Sequence, residues 1–213
     1  SSKSLHYYLS IIRCAEFFHK KVFIYSQGIG PIDRPGNRRA AAAALKRADG
    51  IVVRDERSAA LLEEIGIARD KVVITADPVI RMKKPDGDVG AEILRKAGVS
   101  LDGRLTVGWA IRERDTDSRF VKELLRSIQM MKDKYNAQSV LIPFHYEEDG
   151  EVCRHIAAQL PDDTAVCLNE KYLSEDMLSI IGNMDLLVGV RLHSLIYAAI
   201  MGVPLIGISY DPK

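Results

Sequence analysis

Short strands that are apolar throughout, set in alternation with amphipathic helices, constrain this chain most, and residues 186–208 show the pattern at its clearest. An apolar strand over residues 186–190 runs directly into Arg191 and His193. A helix is predicted at once, over residues 192–201, and a Gly202-Val203-Pro204 turn leads into another apolar strand at 205–208. A strand that is apolar at every position is expected to be buried on both faces, which requires a parallel sheet with helices on each side. Right-handed crossovers then link each strand to the next.

The same alternation runs along the whole chain. Strands are predicted at residues 21–26, 50–54, 72–75, 105–111, 139–144 and 164–168. Helices are predicted at 5–18, 38–47, 56–65, 91–97, 118–134, 151–159 and 174–181. Asp55 reads as the N-cap of the 56–65 helix and Gly66 as its terminator. Residues 83–90 (KKPDGDVG) break all periodicity and mark a boundary. The predicted fold class is α/β, with two Rossmann-like parallel-sheet domains truncated at both ends. Residues 1–83 would be the C-terminal part of the first domain, 84–103 a linker and connecting helix, and 104–213 the second domain.

Composition excludes several classes of function. The 213 residues are 47% hydrophobic, enough for real cores, and the net charge of +1 points to neither nucleic acid nor an anionic membrane as partner. The three cysteines, Cys14, Cys153 and Cys167, have no CxxC spacing, which argues for a reducing compartment and against a zinc site. The long apolar run near the end is broken by His193, Ser194, Gly202 and Pro204, so no transmembrane segment is expected. No signal peptide opens the chain, and a soluble, cytoplasmic protein is predicted.

Candidate chemistry gathers at strand ends. Arg191 and His193 follow a buried strand where a helix begins, the position at which parallel α/β sheets bind ligands and helix N–H groups favour anions. The plainer alternative is that both side chains only cap the turn. Arg112 stands in the same relation to its strand, and the two guanidiniums could clamp a phosphate and a carboxylate. In the glycine loop after residue 26, Arg34 is the one side chain that could reach an anion. His145 lies beside Glu147, Glu148 and Asp149 without HxH or HxxxH spacing, so a sugar contact or simple packing is expected there, and no metal. Tyr210 and Lys213 follow the last strand, where the plain alternative is an exposed chain end.

Taken together, SQGIGP (26–31), VVRDERS (52–58), TADPV (75–79), Arg112, PFHYEED (143–149) and VGVRLHSLIYAAIMGVPLIGISYDPK (188–213) resemble the polysaccharide pyruvyl transferase family. The resemblance is specifically to its CsaB-like members from bacteria that carry S-layers, and it covers most of the chain. It implies a GT-B-like architecture and phosphoenolpyruvate as donor, with no cofactor and no metal. The product would be a pyruvate ketal on N-acetylmannosamine of a lipid-linked secondary cell wall polymer precursor, made at the inner face of the cell membrane and used to anchor S-layer proteins. By motif, His193 and Arg191 would be catalytic, and Arg112, Arg191, Leu192 and Lys213 would contact substrate, with Arg34 and His145 as further substrate-binding candidates. Two other functions stay open: a GT-B-type nucleotide-sugar glycosyltransferase or sugar 2-epimerase, and a non-catalytic binder of an anionic sugar.

Overall fold

Eight parallel strands fall into two separate sheets in the computed structural model, which describes residues 2–113 and 115–209. The chain divides into two units, Ser1–Pro78 and Val79–Lys213. The division falls five residues before the expected end of the first domain. Residues 84–103, expected as a linker and connecting helix, lie within the second unit. Asp88 caps α4 (Val89–Lys96) by accepting from Ala91 N at 3.1 Å and also accepts from Asn183 Nδ2 at 2.8 Å. Gly90 lies so close to the Ser179 backbone that any Cβ would collide with it. That close approach ties α4 to α7 (Ser174–Gly182).

The first unit runs α1 (Ser2–Phe17), β1 (Phe23–Gln27), α2 (Pro35–Leu45), β2 (Gly50–Val53), α3 (Glu56–Glu64) and β3 (Val72–Ile74), with sheet order β1-β2-β3. Pro35 opens α2, where its missing N–H costs nothing. Asp55 caps α3 as the sequence suggests, accepting from Ser58 N at 2.7 Å, and Gly66 ends it with a left-handed φ of 88°. Leu9, Ile12, Ala41, Ala44, Val53 and Leu62 form the core.

The second unit continues with α4, β4 (Thr106–Ala110), α5 (Arg119–Tyr135), β5 (Gln138–Leu141), α6 (Tyr146–Gln159), β6 (Ala165–Cys167), α7, β7 (Leu186–Gly189), α8 (Leu192–Met201) and β8 (Leu205–Gly207). Its order, β6-β5-β4-β7-β8, is that of a doubly wound sheet. Val107, Trp109, Leu141 and Val188 pack on one face with Ile128 of α5 and Ile156 of α6. Ala110, Val140 and Leu187 pack on the other with Leu94, Leu178 and Tyr197 of α4, α7 and α8.

Two expectations change. Every residue of β4 and β5 is buried, but β1 leaves Phe23 67% and Tyr25 66% exposed, and all of β8 is exposed. These two strands lie at sheet edges, which an apolar run cannot reveal. Helix α6 starts at Tyr146, five residues before its predicted start. Its acidic first turn (Glu147, Glu148, Asp149) suits the positive end of a helix, although the helix expected from sequence begins only after it.

Candidate active site

The strand order of the second sheet reverses between β4 and β7, and α/β sheets bind ligands outside the carboxyl ends of strands at such a point. Ala110 of β4 pairs with Gly189 of β7. Arg112 and Arg191, each two residues farther on, therefore lie level at adjoining strand ends. The turn into α8 is tight: a Cβ at Gly189 would strike Ser194 Oγ and Leu195, and Ser194, fully buried, donates to Arg191 O at 2.6 Å. Arg191 is the N-cap residue of α8 and makes no side-chain cap bond.

Its guanidinium turns instead toward α6. Nε donates to Asp149 Oδ2 at 3.2 Å and Nη2 to Asp149 Oδ1 at 2.5 Å, while Glu148 Oε2 lies 3.4 Å from Nη2. The Asp149 side chain is only 1% exposed and also accepts from His145 N at 2.8 Å. Burial works to lower the pKa of Arg191, but the hydrogen bonds and charges of Asp149 and Glu148 outweigh it and hold the pKa above its ordinary value. One edge of Arg191 is thus already occupied by protein, a pairing that the two-arginine clamp expected from sequence does not include.

His193 and Leu192 lie exposed in the first turn of α8, beside Arg191 in sequence. Arg112 is exposed beyond β4. His145 is the exposed N-cap residue of α6, its Nδ1 3.7 Å from Glu147, and its backbone is joined to Arg191 through Asp149. Arg34 is the exposed N-cap residue of α2 in the first unit. Lys213 lies outside the described residues. The side chains missed in sequence are Glu148 and Asp149; a run of three acids opening a helix beside a strand end was the available signal. Among the described residues, no group of three or more His, Cys, Asp or Glu side chains is placed to hold a metal.

A basic pair at a strand reversal, with an imidazole in the first turn of the adjoining helix, suits an anionic ligand and a proton transfer. The polysaccharide pyruvyl transferase family model matches residues 1–212. The chain belongs to the polysaccharide pyruvyl transferase family. No curated protein matches this pyruvyl transferase family member. Solved structures do. The UDP-GlcNAc 2-epimerase of Methanocaldococcus jannaschii superposes with a TM-score of 0.69 at 14% identity, over 96% of this chain and 59% of that one. Anabaena Alr3699/HepE in complex with UDP-glucose gives 0.62 at 13%, over 97% and 57%. The Neisseria meningitidis UDP-GlcNAc 2-epimerase bound to UDP-GlcNAc gives 0.63 at 16%, over 95% and 57%. At these identities the likeness is one of fold, a GT-B-like pair of parallel-sheet units. The chain spans 57 to 59% of the length of these three proteins. Among the described residues, no helix is long and apolar enough to cross a membrane.

Proposed function

We propose that this pyruvyl transferase family member moves the enolpyruvyl group of phosphoenolpyruvate onto a sugar as a pyruvate ketal, releasing phosphate. Besides family membership, one observation carries the proposal: Arg112 and Arg191 stand level at the strand reversal, and His193 comes next in the helix that begins there. Arg112 and the open end of Arg191 would hold the donor's carboxylate and phosphate. In the reaction the donor's methylene carbon gains a proton. Its central carbon gains bonds to two sugar oxygens and loses its bond to the phosphate oxygen. One hydroxyl proton balances the new methyl group and the other leaves with phosphate. His193, the imidazole in the first turn of α8, would move these protons. No cofactor or metal has a role in this chemistry.

The resemblance of the sequence to CsaB-like members supports N-acetylmannosamine in a lipid-linked cell wall polymer precursor as acceptor, with the reaction in the cytoplasm at the inner face of the membrane. The test is phosphate release from phosphoenolpyruvate by the full chain, with and without N-acetylmannosamine glycosides. Acceptor-dependent release is expected. Thermal stabilisation by UDP-GlcNAc, with none by phosphoenolpyruvate, would overturn the proposal in favour of nucleotide-sugar chemistry. Tight binding of an anionic sugar without turnover would favour a non-catalytic binder.

A further inference from the structure

Arg191 meets two carboxylates of α6, and it meets them unequally. Asp149 is buried and takes the side-on edge of the guanidinium, Nε and Nη2, at 3.2 and 2.5 Å. Glu148, 36% exposed, reaches Nη2 from 3.4 Å. Among the described residues Nη1 has no hydrogen-bond partner. The Asp149 carboxylate also accepts from His145 N, so one buried group joins the turn after β5 to the turn after β7. These two turns lie on opposite sides of β4, whose own carboxyl end carries Arg112.

We propose that Asp149 is a positioning residue for the pyruvyl transfer suggested above, fixing Arg191 side-on so that only its Nη1 end meets the donor. A guanidinium on a four-bond stem has many rotamers, and a two-point bond to a buried, helix-borne carboxylate selects one of them. The same carboxylate cancels much of the charge of Arg191. The donor is then held by a directed hydrogen bond more than by bulk attraction, with Arg112 as the second arginine of the proposed site. Glu148, more exposed and at longer reach, adjusts the charge without setting the direction. The inference rests on the proposed function, and on a contact that bridges 42 residues of sequence.

Removing the charge of Asp149 while keeping its shape separates orientation from attraction. In Asp149→Asn the amide oxygen can still accept from His145 N and Arg191 Nε, but the amide nitrogen cannot accept from Arg191 Nη2, so the two-point hold is broken. Freed positive charge should lower the KM for phosphoenolpyruvate severalfold, while lost orientation lowers kcat by about tenfold or more. Asp149→Glu keeps the charge but displaces it by one methylene, so its kcat should fall with KM near the wild-type value. Both are read per folded molecule, with the folded fraction measured by circular dichroism, because a merely structural role lowers the folded fraction and leaves KM and kcat per folded molecule unchanged. That unchanged result, in whichever of the two variants folds, overturns the inference alone. Failure of both variants to fold makes Asp149 a structural pin and overturns it as well. A wild-type chain that neither binds nor consumes phosphoenolpyruvate overturns the proposed function and the inference together.

Discussion

Each unit ends a strand in an arginine pinned by a carboxylate from a neighbouring segment, yet the turns that follow the two arginines are built differently. Both strands begin alike. Asp49, just before β2, accepts from Val22 N at 2.8 Å, and Asp185, just before β7, accepts from Thr106 N at 2.8 Å. Each aspartate thereby ties the start of its strand to the start of the neighbouring one. Both strands also finish alike: Arg54 Nη1 donates to Asp77 at 2.8 Å, and Arg191 is held by Asp149. The residues just past the arginine set the two turns apart. After Arg54 come Asp55 and Glu56, and the Asp55 carboxylate itself fills the N-terminus of α3. After Arg191 come Leu192 and His193, and the Arg191 side chain makes no cap bond to α8. One helix start is closed to anions by its own carboxylate, and the other has an N-cap side chain turned away from it and an imidazole in its first turn. Arg54 also lies flat against Gly28, where any Cβ would meet its guanidinium, so it packs the glycine loop of its own unit. The same strand-to-arginine turn thus serves as a pin in the first unit and as a candidate site in the second.

The sharpest way to break this comparison is His193. If the imidazole distinguishes the two turns, His193→Gln should lose turnover by on the order of a hundredfold or more, yet keep donor affinity within a few-fold. Glutamine retains a hydrogen-bond donor but cannot carry a proton. Steady-state kinetics with calorimetric binding of phosphoenolpyruvate reads both quantities. Wild-type turnover in the variant would reduce His193 to a contact and make His145, tied to the same Asp149, the next candidate.

The paired arginines provide the second test. Arg191→Ala should weaken donor binding about tenfold or more, since charge-assisted hydrogen bonds are worth roughly 1.5–3 kcal/mol each. Lysine in its place should restore only part, because an ammonium cannot bond side-on to Asp149 and still present a second nitrogen. Arg54→Ala should leave donor binding unchanged; like Arg191→Ala, which strands the still more buried Asp149, it should lower the melting temperature, because Asp77, 13% exposed at its side chain, loses its bond to Arg54. Equal losses of donor affinity in the two variants would erase the distinction between the units.

Much of this contrast is legible in the sequence alone, and the reasons for the gaps are specific. The β7–α8 turn can be read because an apolar run, a charged residue and a helical run meet within a few residues, and the Asp55 cap because its partner is three residues away. The edge positions of β1 and β8 cannot, because apolar content reports a preference for burial and carries no neighbour list. The start of α6 is hidden because an acidic run suits both a loop and a helix N-terminus. The pairing of Arg191 with Asp149 is hidden for a different reason. Two residues 42 positions apart are brought together by the order β5-β4-β7, which local patterns do not specify.

The smallest expected effect tests the closed side of the comparison. Asp55→Ala removes the carboxylate that accepts from Ser58 N, and loss of such a cap costs about 1 kcal/mol. The Arg54–Asp77 bond remains, so the carboxyl end of β2 should keep its geometry. A urea titration should show a lower midpoint with an unchanged slope, the signature of lost stability without a changed unfolded state. Phosphoenolpyruvate affinity should stay at the wild-type value, because the α3 start opened by this change still has Glu56 in its first turn to repel an anion. A gain or loss of donor affinity in Asp55→Ala would mean that the helix start after Arg54 takes part in donor binding, and the contrast between the two turns would fail.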